Sequence, residues 1–331
     1  MNRGNLHIRL YLGMLLSVLL ASLFFSGLYC FNNKYTQHTT QPISGLLILS
    51  ETDMEQHPSR YLWHDWAYYP NVLLTPADFQ DGSPDRYMTY VNLQSGNRMD
   101  LSGQSDQARF GCGTYLLRIQ VPNTHISYSL DMPEVFSAYR LYINGNPALS
   151  IGNPDPDHYQ DATGSRLVTF FPDENGRITI LIAVSNQSYF YSGMTFPPAF
   201  GTPQALNYTR GIRLGLRLCT IFMFQIAILV CGYFWFRTRH KNAALLALLC
   251  LLMIGWTAYP LLHTLFLLPV FPTYWLETLC CYGTLALLLY LHNQVCGISA
   301  AVSRISCSVA VSVCIGLSGY FFGASAIPDW G

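Results

Sequence analysis

Hydrophobic residues are arranged along this chain in two ways. At its start and through its second half they form unbroken runs, and between these lies a long stretch where they alternate with polar residues. The runs are Leu10–Phe31, Ile212–Phe236, Ala243–Leu262, Tyr274–Leu291 and Ile305–Phe322. A helix needs about 20 apolar residues to cross the hydrocarbon of a bilayer, and each run is near that length. In the alternating stretch, Tyr115, Leu117, Ile119 and Val121 share one face of a period-two pattern, with Arg118 and Gln120 opposite. Tyr139, Leu141 and Ile143 repeat the pattern against Arg140, Tyr142 and Asn144, and Ile178, Ile180, Ile182 and Val184 form a third copy. Asn144-Gly145 and Asn175-Gly176 supply the positive-φ chemistry of tight hairpins. Short strands separated by turns predict a sandwich or jelly roll.

Four parts are expected: a signal anchor or signal peptide over 1–33, an exported β-sandwich over 34–209, four transmembrane helices over 210–325, and a short tail over 326–331. Arg3, His7 and Arg9 precede the first run, which is longer than a secretory core of about 7–15 residues and lacks an Ala-x-Ala cleavage site. An uncleaved anchor with its N-terminus inside is therefore expected. The basic loop Arg237-Thr238-Arg239-His240-Lys241 then belongs on the cytoplasmic side, as does Arg304. Arg210, Arg213 and Arg217 crowd the outer end of the next span and are expected to reach headgroups or the exported domain.

Composition sharpens the division. The 331 residues are 51% hydrophobic and 11% charged, where soluble domains carry about a quarter charged residues. Sixteen of the 18 acids lie between Glu51 and Glu174, and nine basic residues lie between Lys34 and Arg177, so this stretch carries a net charge of about −7. No basic face exists to neutralise phosphates, which excludes a nucleic-acid partner. Of ten cysteines only Cys112 lies in the acidic stretch, so a disulfide framework is not expected there. Cys/His ligand spacing is absent, and no metal or cofactor is expected.

The aromatic stretch Trp63-His64-Asp65-Trp66-Ala67-Tyr68-Tyr69-Pro70 is followed by Leu73-Leu74-Thr75-Pro76-Ala77-Asp78-Phe79. Further on come Gly113-Thr114-Tyr115-Leu116-Leu117-Arg118-Ile119 and Ser137-Ala138-Tyr139-Arg140-Leu141-Tyr142-Ile143-Asn144-Gly145. In this order the segments resemble the exported sensor domain of bacterial seven-transmembrane receptors with diverse intracellular signalling modules. The resemblance covers roughly residues 60–325. It implies an α+β membrane protein in which an exported all-β jelly roll, of galactose-binding-like form, precedes a helical transmembrane bundle. It implies a sensor for a small extracellular ligand, a carbohydrate among the candidates. The family places a histidine kinase, diguanylate cyclase or phosphatase after the seventh crossing, whereas this chain has four spans after the domain and no such module. The expectation is the input half of a receptor, from a truncated gene, or a carbohydrate-binding adaptor working with a separate signalling partner or as a homodimer in lipid.

Trp63, Trp66, Tyr68 and Tyr69 suit stacking on a sugar ring, although aromatic runs at strand spacing mostly pack against the core or an open edge. Arg140 and Tyr142 alternate with core residues and so face solvent or a ligand cleft. Trp66→Ala is expected to weaken ligand affinity with little change in melting temperature; a large loss of stability instead would mark the ring as core. The stretch Asn153–Asp161 is acid-rich, but it lacks the Gly and Glu spacing of an EF-hand and reads as a stiff surface loop. Glu277 and His263 are expected at the outer, hydrated ends of their spans, and Tyr259-Pro260 as a kink or a hinge. No nucleophile elbow, zinc-protease pair or P-loop is present, so an enzyme is not expected; a glycoside-processing enzyme ranks last.

Overall fold

The computed structural model describes residues 12–30 in part, Asn33, and residues 39–93, 110–187, 193–295 and 299–326. The chain divides into two units, Met1–Thr39 and Thr40–Gly331. In the first, the described residues between 12 and 30 are helical and exposed. The expected tail beyond Ala326, Cys296 and the flanks of the first apolar run lie outside the described residues.

The second unit begins with a two-sheet β-sandwich. Its strands are β1 (Leu46–Ile48), β2 (Ser59–Tyr61), β3 (Trp66–Pro70), β4 (Thr89–Val91), β5 (Gly111–Gln120), β6 (Tyr128–Met132), β7 (Ala138–Ile143), β8 (Asn146–Ile151), β9 (Arg166–Phe170), β10 (Arg177–Asn186) and β11 (Ala199–Gly201). One sheet runs β4-β3-β5-β10-β7-β8, with β1 parallel to the end of β5, and the other runs β2-β11-β6-β9. The three period-two segments fall in β5, β7 and β10, the centre of the larger sheet. Their apolar sets (Tyr115, Leu117 and Ile119; Tyr139, Leu141 and Ile143; Ile178, Ile180, Ile182 and Val184) all enter one core with Tyr128, Leu130 and Phe200 of the smaller sheet. Burying such side chains stabilises by about 1.5–3 kcal/mol each, which is why strand register is set by this face. Gly113 is required by packing, because a Cβ there would overlap the Tyr68 ring.

The two Asn-Gly turns do different work. Asn144 (φ 50) and Gly145 (φ 82) join β7 to β8, which pair as an antiparallel hairpin. The turn at Asn175-Gly176 joins β9 to β10, which belong to different sheets. The expected second hairpin is instead a crossing between layers; a turn signal reports the reversal of the chain and not which strands pair.

Four long helices follow. After α1, a short helix at Glu51–Gln56, they are α2 (Pro203–Thr238), α3 (Lys241–Leu265), α4 (Val270–Val295) and α5 (Ala300–Ala326). Helix α2 starts before the apolar run at Ile212 and inside the stretch expected to be β. The reason is local: the Thr202 side chain accepts from Ala205 N, and Pro203 fits the first turn. Three helices, Pro203–Thr238, Lys241–Leu265 and Val270–Gln294, are long and apolar enough to cross a membrane. The described apolar stretch of α5, Ala301–Leu317, is shorter. Each helix packs on the next in sequence, α2 on α3, α3 on α4 and α4 on α5.

Candidate functional site

The outer face of the larger sheet carries the residues that alternate with the core. Ala67, Leu116, Leu181 and Tyr142 stand in one cross-strand row, through β3, β5, β10 and β7. This row is apolar, and the segment after β3 covers part of it. The Thr114 hydroxyl fastens that segment by accepting from Leu74 N and donating to Val72 O, both at 2.8 Å. Leu74 and Phe79 then pack with Tyr69 and Leu116. Asp78 closes the 3-10 turn Pro76–Phe79 by accepting from Thr75 N at 2.7 Å and from the Thr75 hydroxyl at 2.8 Å, bonds that hold its carboxyl below the usual range.

Where the covering segment stops, a cleft of about 410 Å³ opens. That is within the roughly 300–1,000 Å³ of small-molecule sites. Leu116, Leu181 and Tyr142 line it, with Phe79 on one side and the Asn144-Gly145 turn on another. The next row of the sheet, Arg118 and Thr179, adds polar groups. Arg118 is exposed, and its guanidinium has no hydrogen-bond or ion-pair partner among the described residues. Its field reaches Tyr69, whose phenol is pushed up by burial and pulled back by that charge. Asp173, on the rim, is already engaged: its Oδ1 accepts from Asn175 N at 2.9 Å and Arg177 N at 2.7 Å. Asn144 is engaged too, accepting from Thr179 N at 2.8 Å and donating to Phe171 O at 3.1 Å. A half-buried aromatic, an apolar floor and one open cation can hold a small molecule with an apolar face and acceptor oxygens.

On the opposite side of the sandwich, the outer face of the smaller sheet meets the helices. Asp131 of β6, only 7% exposed, accepts from Arg210 and Arg213 of α2, each at 2.7 Å. Arg210 also donates to Ser165 O at 3.1 Å. Arg166 donates to Thr264 O at 2.9 Å, satisfying a carbonyl at the end of α3. His263 is fully buried, and its Nδ1 bonds Thr163 O at 3.2 Å, so that nitrogen carries the proton. Gly164 permits this approach, since a Cβ would press on Leu267 and on the His263 carbonyl. Glu277 lies within electrostatic reach of Arg217 and Glu134. The contact expected of Arg210 and Arg213 with the β-sandwich is thus met by one shared carboxylate. His263 departs from expectation: it is held under the sandwich rather than in water or headgroups.

The six residues singled out for ligand contact are dispersed. Trp66 and Tyr68 lie in the central core, 0% and 1% exposed, with the Trp66 indole donating to Leu62 O at 2.8 Å. They are out of a ligand's reach, because β3 turns alternate residues inward and these two share the inward phase. Tyr69, on the outward phase, is buried beneath the covering segment. Trp63 packs beside Tyr61, Ala199 and Leu206 at the start of α2. Arg140 is on the surface, donating to Asn153 Oδ1 at 3.1 Å. Of the six, Tyr142 alone lines the cleft. Arg118 was visible as a polar residue opposite the core, but nothing in its alternation separated it from Arg140. The acid-rich loop is a surface turn in which Asp155 accepts from Asp157 N at 3.1 Å. Among the described residues, no three His, Cys, Asp or Glu side chains converge as a metal site would need.

No family model and no curated protein matches the chain. Over 44% of its length it is similar to a GH2 β-galacturonidase from Eisenbergiella tayi bound to galacturonate (TM-score 0.30, 11% identity, 24% of that chain covered). A Ruminococcus gnavus β-glucuronidase gives a TM-score of 0.32 at 12% identity, covering 44% of this chain and 29% of that one. A glycosyl hydrolase family 2 member from Bacteroides cellulosilyticus gives 0.34 at 11% identity, covering 44% and 20%. The chain thus spans less than a third of the length of each of these enzymes. At these scores the likeness assigns no activity.

Proposed function

We propose that this chain is the sensing half of a membrane receptor, resembling the bacterial seven-transmembrane receptors with diverse intracellular signalling modules. In this reading the sandwich, a galactose-binding-like jelly roll, lies outside the cytoplasm, α2 to α5 lie in the bilayer, and the Arg237–Lys241 loop faces the cytoplasm. A small ligand, of carbohydrate class, occupies the cleft beside Tyr142. The observation that carries the reading is Asp131, which ties the ligand-facing domain to two arginines at the head of an apolar helix. Such a tie lets a ligand that prefers one packing of the sandwich bias the packing of the helices, provided its affinity differs between the two. Ligand-bound and ligand-free chains in nanodiscs, spin-labelled on α2 and α4, test this. A sugar that raises the melting temperature and shifts the distance between labels supports reception, and no change in either sinks it.

One observation favours a second reading, that of a membrane-anchored carbohydrate-binding adaptor. The cleft and the helix junction lie on opposite faces of the sandwich with the full core between them, an arrangement that lets a ligand bind without moving the helices. Binding without any change in the spin-label distance selects the adaptor.

A further inference from the structure

We infer that the cleft on the outer face of the larger sheet selects a monosaccharide bearing a carboxylate, with Arg118 as its anion-binding residue. The inference rests on the proposed reading of the cleft as a sugar site and adds the class of sugar. Two charged side chains line the cleft, and they differ in what is left for a ligand. Asp173 Oδ1 accepts two backbone N–H groups and holds its own turn together. The Arg118 guanidinium makes no hydrogen bond or ion pair among the described residues, although Asp173 lines the same cleft. Among the described residues the Arg118 donors are open to an acceptor, and of Asp173 only Oδ1 is engaged, which leaves its second oxygen to accept from a ligand hydroxyl.

A guanidinium presents its donors in a planar fork that matches the two oxygens of a carboxylate, and charge-assisted bonds of this kind are roughly twice as strong as neutral ones. Immediately beside it, Leu116, Leu181 and Tyr142 offer an apolar floor for the C–H face of a sugar ring, while the Thr179 side chain lies in the same row as Arg118. The domain as a whole does not favour anions, because residues 34–177 carry about −7. At physiological salt the screening length is about 8 Å, so direct contact with Arg118 rather than the long-range field decides the matter. A ligand must combine the anion and the ring to use both halves of the site.

The test is calorimetric titration of the full chain in nanodiscs with D-glucuronate, D-galacturonate and D-mannuronate, each beside its parent hexose, and with acetate. At least one uronate is expected to bind tenfold or more tightly than its hexose. Arg118→Gln should erase that preference at unchanged melting temperature, whereas Tyr142→Ala should weaken uronate and hexose by a similar factor. Equal affinity for uronate and hexose in the unaltered chain overturns the acidic class and leaves the sugar cleft standing. Failure of every sugar overturns both. Acetate binding as tightly as the uronates, or a preference that survives Arg118→Gln, also overturns the inference.

Discussion

Asp131 and Arg118 project from outer faces of the same sandwich, one from each sheet, and their surroundings are opposite. Asp131 is enclosed, with both carboxylate oxygens taken by arginines of α2. Arg118 is exposed and lines a cleft, its guanidinium without a hydrogen-bond or ion-pair partner among the described residues. A charge that is buried and fully paired is committed to structure, since removing either partner strands the other in a poorly solvated place. A charge that is open beside an apolar floor costs little to leave and gains when a ligand arrives. The comparison separates a joint from the proposed binding site on physical grounds, and each variant below is a way to break it.

The largest effect is expected where the two faces share their support. Trp66→Ala should cost about 3–5 kcal/mol, because a fully buried indole and its bond to Leu62 O are both lost. Thermal unfolding of the chain in nanodiscs reads this. A loss below about 1 kcal/mol would mean the two sheets do not depend on that ring. Next comes Asp131→Ala, which leaves Arg210 and Arg213 facing each other without their carboxylate; the expected cost is about 3 kcal/mol. The junction should become susceptible to protease near Arg210 while sugar binding is kept. If sugar binding were lost as well, the separation between joint and cleft would fail.

How far the chain's pattern foretold this arrangement depends on which property is asked for. Strand faces were legible because a period of two is imposed by the backbone: Tyr115, Tyr139 and Ile182 had to point one way together. The helices were legible because length and apolarity are one-dimensional quantities, although Pro203 and Thr202 start α2 earlier than its apolar run does. Site geometry was not legible. Trp63, Trp66 and Tyr69 sit within seven residues of one another in sequence, yet go to the helix junction, the core and the outer face. Arg118 and Arg140 share the same alternation, and only the fold shows that one meets Asn153 while the other meets the cleft. Aromatic density announced burial, and burial does not say against what.

A smaller effect of the opposite sign is expected inside the core. The Tyr139 hydroxyl is buried without a hydrogen-bond partner among the described residues. Tyr139→Phe should therefore stabilise by about 1 kcal/mol. Burial also pushes this phenol up from its ordinary value, and pushes Tyr115 up to about 12. A raised folded value means the neutral form is the one the fold holds. Stability from these groups is complete below about pH 10, where unfolded tyrosine ionises, and is lost as pH rises through the folded value. In Tyr139→Phe the alkaline decline should be shallower; an unchanged decline would place the titrating groups elsewhere.

The smallest change in stability is expected at Arg118, and it carries the most weight for the comparison. Arg118→Gln removes no side-chain bond to the described residues, so its melting temperature should stay within about 0.5 kcal/mol of equivalent stability. Raising the salt should weaken uronate binding in the unaltered chain and leave it unaffected in the variant, because the screened term has been removed. A substantial loss of stability would show that Arg118 is committed to structure as Asp131 is. The two charges would then belong to one class, and the cleft would lose its anion-binding residue.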